Sequence, residues 1–302
     1  MTETIAEAPA AECAKKAHEY GRPACIEDAS NKYFIHPLSD VVVKFGLALK
    51  LTPNFVSLLG LASGILAGFL YYKMPEAGYI FGGFAAMIFW HILDGADGRL
   101  ARLTGQTSAF GRVLDGICDH LVFTAVYIGV TLYLIDTGAS NGIWWLVLTS
   151  GVAHGIQAAA YEERRQKYQR RVDGLGRDVQ EGLLEIDGKR SAFASGYDKV
   201  QRFLSGGDYG LDAKLAELRA KPDAKACSDY FVNQTAPMVK AWGLLNANNR
   251  TFLIFLCAFM GAPIWFFIIQ LTVFNLLLVG LMVAERALEY KLIAEADGAG
   301  IL

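Results

Sequence analysis

The apolar segments of this chain are the strongest constraint on its fold. Of the 302 residues, 53% are hydrophobic and 19% are charged, and the mean hydropathy is +0.30. This composition is typical of a polytopic membrane protein rather than of a soluble domain. Six apolar windows predict helices that cross a hydrocarbon core about 30 Å thick. The predicted spans cover roughly 53–72, 78–93, 115–135, 143–161, 244–261 and 264–284.

The basic residues predict which side of the membrane each connection faces. Lys and Arg in short flanking loops mark the cytoplasmic side. Arg99, Arg102 and Arg112 flank the second connection, whereas "DTGASN" and "GAP" on the opposite side contain no basic residue. We therefore expect a multi-pass protein with both predicted ends in the cytoplasm, in the inner (cell) membrane if the source is bacterial.

Three segments are predicted to lie outside the spans. Residues 1–35 are polar and predict a cytosolic tail. The stretch from His36 to Leu51 predicts an amphipathic helix in the membrane interface, or alternatively the first part of a tilted span. Residues 165–240 predict a cytosolic helical insertion, or cap. The expected fold is thus all-α, with the first four spans within 36–164 and the last two spans and a C-terminal tail within 241–302.

Four aspartates occur where the second and third spans meet. Asp94 and Asp97 are spaced i, i+3, and Asp115 and Asp119 are spaced i, i+4, so each pair shares one helix face. A turn around "LTGQTSA" would bring the two pairs together. Ionisable residues in membrane segments indicate a functional site, and carboxylates this close repel one another unless cations bind them. The pattern predicts a two-metal site for Mg²⁺, Mn²⁺ or Ca²⁺, of the kind that catalyses phosphoryl displacement.

The residues around the aspartates fit a phosphate ligand. Gly98 and Ala101 leave the helix surface bare, so that a diphosphate can approach the backbone. Gly111 allows two helices to pack closely. Arg102 supplies a planar cation suited to a phosphate or a neighbouring carboxylate.

The aspartates belong to a longer pattern that resembles a known family. The order Asp94-x2-Asp97-Gly98-x2-Ala101-Arg102-x8-Gly111-x3-Asp115-x3-Asp119 is similar to the CDP-alcohol phosphotransferase (CDP-alcohol phosphatidyltransferase) signature at all eight fixed positions. The resemblance implies a six-helix membrane enzyme, usually a homodimer, with a cytoplasmic active site. It implies a reaction in which an acceptor hydroxyl displaces CMP from a CDP-alcohol, with two bound Mg²⁺ or Mn²⁺ ions.

The resemblance also implies a role for each signature residue. Asp119 would be the general base that takes the proton from the acceptor hydroxyl. The other implied roles are metal ligands at Asp94, Asp97, Asp115 and Asp119, a CDP pocket lined by Gly98, Ala101 and Gly111, and a phosphate contact at Arg102.

A second element, "LTPNFVSLLG", resembles a Pro-Asn-x-x-Thr/Ser motif of the same family. Pro53, Asn54 and Ser57 match it, with Ser in place of Thr. Asn54 either contacts the cytidine diphosphate or, with Pro53, simply opens a helix.

The substrates are less constrained than the reaction. The sequence "LDGICDH" differs from the "LDP-x-A-D-K" and "LDS-x-A-D" patterns of members that use glycerol phosphate or serine. The segment before the first span resembles members that use CDP-choline, CDP-ethanolamine or CDP-inositol with a lipid acceptor, which we favour here. The alternative is phosphatidyl transfer from CDP-diacylglycerol to inositol phosphate or another polyol. Arg164 and Arg165 would then bind the acceptor, unless they only anchor the fourth span.

Two other functions are weighed against this interpretation. Intramembrane prenyltransferases also bind magnesium diphosphate, but they have Asn before the first aspartate, where this chain has Leu93. A divalent-cation transporter would distribute carboxylates along a path, whereas these four cluster at one end. The expected partners are a CDP-alcohol, a lipid or polyol acceptor, membrane lipids and a second copy of the chain, and no nucleic acid is expected.

Three histidines lie in or near the predicted spans. We interpret His91 and His120, which flank the aspartates, as polar anchors at the membrane interface. His154 lies midway along the fourth predicted span, and we expect it to bond a neighbouring helix.

Overall fold

In a computed structural model of this protein, the regular secondary structure of the described residues is helical. The structure describes residue 23 and residues 25–174, 210–220 and 225–298. Within these described residues the all-α prediction is confirmed. Parts of the predicted tail (1–35) and of the predicted insertion (165–240) lie outside them, so both of these assignments stay predictions.

Ten α-helices occur in the described residues. They are α1 (His36–Ala48), α2 (Pro53–Tyr72), α3 (Ala77–Thr104), α4 (Ala109–Asp136), α5 (Ile143–Asp173), α6 (Leu211–Arg219), α7 (Lys225–Trp242), α8 (Ala247–Phe259), α9 (Ile264–Leu271) and α10 (Val273–Gly298). A π-helical turn (Asn31–Ile35) leads into α1, and a 3-10 turn (Gly243–Leu245) follows α7.

The chain divides into two compact units. The motif unit comprises Ala29–Gly155 and Ala247–Phe274, and contains all four aspartates. The insertion unit comprises Met1–Asp28, Ile156–Asn246 and Asn275–Leu302.

In the part of the chain that the structure describes, four helical segments are long and apolar enough to cross a membrane. They are Pro53–Tyr72, Ala77–Thr104, Val113–Asp136 and Ile264–Gly298, and they contain the first, second, third and sixth predicted spans. The fifth predicted span falls on α8, which has 13 residues. A helix of that length is about 20 Å long, shorter than a core of about 30 Å. The fourth falls on α5, whose apolar run is interrupted by polar residues, so the six-span topology stays a prediction.

Local capping groups set the ends of the helices that carry the aspartates. At the start of α2, Thr52 accepts a hydrogen bond from the backbone N–H of Phe55 at 3.3 Å. Helix α3 ends at Gly105, whose φ of 66° is the left-handed conformation that glycine adopts readily. Helix α4 begins after Ser108, whose hydroxyl accepts from the N–H of Gly111 at 2.9 Å. Only residues 105–108 separate the two helices, so the predicted turn is confirmed.

Helices α2 and α4 pack at very short range. A Cβ added at Gly68 would collide with the carbonyl oxygen of Ala125, and one added at Gly129 would collide with the carbonyl oxygen of Gly68. A Cβ at Gly64 would collide with the side chain of Val122. Small residues permit this backbone approach in membrane helices. The contact fixes α4, which carries two of the aspartates, against α2.

A buried apolar core lies in the motif unit. Its most buried members are Ala67, Tyr71, Met87, Val122, Val126 and Phe267, each at 0% exposure. The aromatic members meet edge to face, as in the pair formed by Trp90 and Phe123, whose ring centroids are 5.3 Å apart. Such pairs add to the stabilisation from burial alone.

Buried ion pairs join α5 to α10 within the insertion unit. Arg164 Nε lies 2.9 Å from Glu285 Oε2, and Lys167 Nζ lies 2.8 Å from Glu289 Oε1. Arg171 Nη2 reaches the same Glu289 oxygen at 2.7 Å. The three cations are spaced i, i+3, i+7 and so share one face of α5. Glu289 is only 1% exposed, and its charge is therefore matched by two cations inside the protein.

Asp212 extends this set of ion pairs to α6. Its Oδ1 lies 2.5 Å from Arg171 Nε. Burial opposes ionisation of Asp212, but the charge and hydrogen bond of Arg171, together with the charges of Lys167 and Arg170, outweigh it and lower the pKa of Asp212. The ion pair therefore fixes α6 to the end of α5.

We expect Gly129→Ala to destabilise the protein, because the added methyl group cannot fit without moving the backbone of α2 away from α4. Overpacking of this kind costs about 1–3 kcal/mol. Thermal unfolding of the purified protein in detergent measures the change. Gly151→Ala is the control, because a Cβ there meets nothing within 4 Å. Equal melting temperatures for the two variants would contradict the close contact.

We expect Glu289→Gln to destabilise the insertion unit more than Glu295→Gln. Removing one partner from a buried ion pair costs about 3–5 kcal/mol, whereas an exposed pair contributes about 0–1 kcal/mol. Glu295 is the matched control, because its pair with Lys291 on the same helix is exposed (45% and 72%). Comparable shifts in thermal unfolding would show that burial does not strengthen the Glu289 pairs.

Candidate metal centre

Three of the four predicted aspartates come together between α3 and α4. Asp94, Asp115 and Asp119 are each half-buried, and one carboxylate oxygen from each lies within 4.8 Å of the others. Asp94 belongs to α3, and the other two belong to α4. The short connection between the helices brings their aspartate-bearing turns side by side, as the i, i+3 and i, i+4 spacings predict.

Asp97 lies outside this group of three and is bound to another helix. Its side chain is 5% exposed. The hydroxyl of Ser57, on α2, donates to Asp97 Oδ2 at a distance of 2.5 Å, and Ser57 Oγ also lies 3.3 Å from the carbonyl oxygen of Pro53. The predicted convergence of four carboxylates is therefore observed for three, with Asp97 hydrogen-bonded to Ser57.

The donor set of the three-carboxylate group suits a hard divalent cation. Like charges at this separation repel, and the repulsion is stronger in partly buried surroundings than in water. A bound cation removes that cost, and carboxylate oxygens are the ligands that Mg²⁺ and Mn²⁺ prefer. Asp94, Asp115 and Asp119 therefore fit a divalent metal ion.

The predicted CDP-binding residues lie around the same turns. A Cβ added at Gly98 would be 3.6 Å from Arg102 Nη1, so the bare surface of Gly98 adjoins a guanidinium. A Cβ added at Gly111 would be 3.5 Å from Asn54 Oδ1. The side-chain amide of Asn54, on α2, therefore lies next to the start of α4. Ala101 is half-buried and Arg102 is exposed. The site is thus bordered by two small residues, an amide and a cation, while their roles stay predictions.

Two contacts were not predicted from the sequence. The Ser57 hydroxyl was noted only as part of the Pro-Asn-x-x-Ser element, and its spacing from Pro53 carries no sign that it reaches Asp97. The second contact joins His91 to α8: its Nε2 lies 2.9 Å from Thr251 Oγ1. The His91 ring is tilted by 38° relative to the ring of Trp90, with centroids 4.3 Å apart.

The three histidines that the sequence singles out have different surroundings in the structure. His91 is only 6% exposed, so its prediction as an interfacial anchor is wrong, because a hydrogen-bond partner on α8 allows it to be buried. His120 is exposed, and its Nδ1 lies 2.6 Å from the carbonyl oxygen of Gly116. His154 Nδ1 lies 3.1 Å from the hydroxyl of Tyr127, which confirms the predicted bond to a neighbouring helix.

The fold and the site together define a helical membrane protein with a candidate metal centre at the junction of two apolar helices. Residues 50–176 match the CDP-alcohol phosphatidyltransferase family. This part of the chain is therefore similar to that family, in agreement with the resemblance found in the signature. The family consists of transferases of substituted phosphate groups.

Several curated relatives are similar to part of this chain. The phosphatidylinositol phosphate synthase of Mycolicibacterium smegmatis is 35% identical over 94 residues, which are 31% of this chain and 41% of the relative. That of Corynebacterium glutamicum is 28% identical over 119 residues, 39% of this chain and 48% of the relative. The archaetidylinositol phosphate synthase of Pyrococcus horikoshii is 34% identical over 87 residues, 28% of this chain and 43% of the relative.

The similarity to these relatives is partial. The chain spans less than half the length of the curated relatives described above. No solved structure matches it. The family model covers the helices around the candidate metal centre, and residues from 177 onward lie beyond it.

We expect Ser57→Ala to weaken divalent-cation binding. Asp97, which accepts from Ser57, is a predicted metal ligand, and removing a hydrogen-bond partner of a ligating carboxylate typically costs about 10–100-fold in metal affinity. Titration calorimetry with Mg²⁺ on the detergent-purified protein measures the change. Ser63→Ala is a matched control, because Ser63 is as buried as Ser57 (8%) and also joins α2 to α3, through the carbonyl oxygen of Ala86 at 2.8 Å. If both variants lose affinity equally, the effect comes from helix packing and not from Asp97.

Proposed function

We propose that this protein is a metal-dependent CDP-alcohol phosphotransferase of phospholipid biosynthesis. In the proposed reaction, an acceptor hydroxyl attacks the phosphorus that carries the alcohol of a CDP-alcohol, and CMP leaves. The observation that carries the proposal is the meeting of Asp94, Asp115 and Asp119 at one point, inside a domain of this family. Metal binding is typical of the family.

The relatives favour inositol phosphate as the acceptor. The bacterial relatives are named phosphatidylinositol phosphate synthases, and the archaeal one is named an archaetidylinositol phosphate synthase. The names share the inositol phosphate and differ in the lipid. We therefore prefer the alternative stated above, transfer of a phosphatidyl-type group to inositol phosphate, over a CDP-linked choline, ethanolamine or inositol donor. CDP-diacylglycerol is the proposed donor.

The aspartates would divide the chemistry between them. Asp94, Asp97, Asp115 and Asp119 would hold the metal, and the bound Mg²⁺ or Mn²⁺, in a two-ion site, would neutralise charge on the diphosphate. Asp119 would also accept the proton of the attacking hydroxyl as its oxygen bonds to phosphorus. The bond from that phosphorus to the CMP oxygen then breaks, and CMP keeps the electron pair.

The residues around the aspartates would position the donor. Gly98, Ala101 and Gly111 have little or no side chain, so the diphosphate could approach the helix backbone closely. Arg102, exposed beside Gly98, would contact the phosphates. Asn54, which lies next to Gly111, would contact the cytidine diphosphate.

The ion pairs of α5 bear on the acceptor contacts considered above. Arg164 is bound to Glu285 at 2.9 Å and is only 3% exposed. Arg165 is bound to Glu162 at 2.5 Å. Because both guanidiniums already contact carboxylates, a structural role is favoured over contact with inositol phosphate.

The membrane arrangement is part of the proposal. We infer six spans with the metal centre facing the cytoplasm, in the inner (cell) membrane of a bacterial source, and a homodimer. Helix α1 would lie in the interface, since its outer side exposes Val41 (47%), Phe45 (63%) and Leu38 (39%). Apolar side chains on one side of a short helix favour that location.

The proposal is tested by following CMP release from purified protein with Mg²⁺. CDP-diacylglycerol with inositol phosphate should release CMP and form a lipid with the mass of phosphatidylinositol phosphate. CDP-choline and CDP-ethanolamine with total lipid extract provide the comparison. Absence of CMP with every donor would overturn the proposal, and cation flux into liposomes without CMP release would favour the transporter.

We expect Asp119→Asn to keep the fold and lose transfer activity by about 10²–10⁴-fold, because an amide cannot accept the hydroxyl proton. CMP release gives the rate, and thermal unfolding confirms that the variant is folded. Asp136→Asn, at the far end of α4, is the control and should retain activity. Normal turnover of Asp119→Asn would remove this residue from the base role.

A further inference from the structure

Helix α1 contacts the helix that carries Asp94 and Asp97 through a fully buried serine. Ser39 has 0% exposure. Its hydroxyl oxygen lies 2.8 Å from the carbonyl oxygen of Ile92, on α3, and 3.0 Å from that of Ile35. The carbonyl of Ile92 precedes Asp94 by two residues, so this contact between helices meets α3 beside the metal centre.

Gly95 makes this close contact possible. A Cβ added at Gly95 would lie 2.8 Å from Ser39 Oγ and 3.6 Å from Ser39 Cβ. The first distance is too short for a carbon atom, while the second is an ordinary contact. Gly95 occupies a variable position of the signature, so the metal site itself does not call for glycine there. Glycine is required at position 95 because Ser39 of α1 packs so closely against it.

The contact lies on the side of α3 opposite the carboxylates. Successive residues of an α-helix are rotated by about 100°, so Gly95 points well away from the face shared by Asp94 and Asp97. Helix α1 therefore contacts the turn that carries Asp94 and Asp97 on the side away from their carboxylates.

Two further contacts continue along the same helix pair. Asp40, next to Ser39, forms an ion pair with Arg99. Further along α1, a Cβ added at Gly46 would be 3.2 Å from Leu100 Cδ2 on α3. Val43 and Leu100 also belong to one buried apolar cluster. The contact thus extends along both helices, with Ser39 and Gly95 at the level of the aspartates.

We propose that α1 positions the metal centre, with Ser39 and Gly95 setting where α3 presents Asp94 and Asp97. The inference rests on the proposed role of these aspartates as metal ligands. Ser39 and Gly95 are positioning residues, because they contact each other and the backbone of α3 and neither carries a carboxylate that could bind a metal. Small displacements of a ligand-bearing helix weaken a site whose ligands must meet within fractions of an ångström.

The two residues allow a double-mutant test. Ser39→Ala removes the hydrogen bond to Ile92. Gly95→Ala either turns the Ser39 hydroxyl away from Ile92 or separates the helices. In the double variant the conflicting hydroxyl is absent, and the two methyl carbons would sit 3.6 Å apart, as the Cβ positions do now. The effects should therefore be non-additive.

The experiment measures Mn²⁺ affinity by electron paramagnetic resonance on the full-length protein in detergent, with no nucleotide present. Each single variant should raise the Kd for Mn²⁺ about three- to tenfold, the effect of losing one hydrogen bond. The double variant should bind Mn²⁺ more tightly than the product of the single effects predicts. Gly78→Ala, on the same helix with nothing within 4 Å of its Cβ position, should bind Mn²⁺ as the wild type does.

Other outcomes would overturn the inference. If both single variants melt at lower temperature but bind Mn²⁺ with the wild-type Kd, the contact is only structural. A double variant that binds no better than the product of the single effects would remove the steric explanation. If Ser39→Ala weakens Mn²⁺ binding while the wild type releases no CMP from any donor, the proposed function fails and this inference stands.

Discussion

The repulsion between three carboxylates at the meeting of two apolar helices is the constraint on which the rest of this structure depends. Two unit charges about 4 Å apart repel by roughly 1 kcal/mol in water and roughly 4 kcal/mol near a protein surface. Asp94, Asp115 and Asp119 are held within 4.8 Å of one another. Such an arrangement persists only if the helices that carry the carboxylates are fixed by other contacts, or if a cation is bound.

The structure supplies those contacts with uncharged polar groups. Helix α3 is bonded to α1 by Ser39, to α2 by Ser57 and to α8 by the pair His91 and Thr251. Hydroxyl and imidazole groups can be buried at low cost once each is hydrogen-bonded, and they add no charge to a site that already has an excess of negative charge. Helix α4 is fixed differently, by the direct backbone approach at Gly68 and Gly129.

Much of this site could be predicted from the sequence, because its determinants are local. The i, i+3 and i, i+4 spacings place carboxylates on one face of a helix, and Gly105 and Ser108 mark the end of one helix and the start of the next. The meeting of Asp94, Asp115 and Asp119 follows from these local rules. What escaped prediction depends on residues far apart in the chain: the burial of His91 requires Thr251, and the orientation of Asp97 requires Ser57.

The predicted spans likewise differ in how far the local sequence decides them. The bounds predicted for α2 agree with the structure to the residue, and three other predicted spans lie within longer apolar helical segments, because length and composition decide such helices. The spans predicted over 143–161 and 244–261 fall on helices whose length or polarity does not meet that criterion. The ion pairs between α5 and α10 could not be predicted either, since no local sequence pattern indicates that Arg164 pairs with Glu285.

The four-residue connection between α3 and α4 has a consequence for how the protein is made. Only short loops must close to bring the aspartates together, and closing a short loop costs little chain entropy. Because chains fold from the N-terminal end during synthesis, α2, α3 and α4 can assemble the carboxylate cluster before α8 has left the ribosome. The centre would then form first as a helical hairpin on α2, and the hydrogen bond between Thr251 and His91 would be added to a site that already exists.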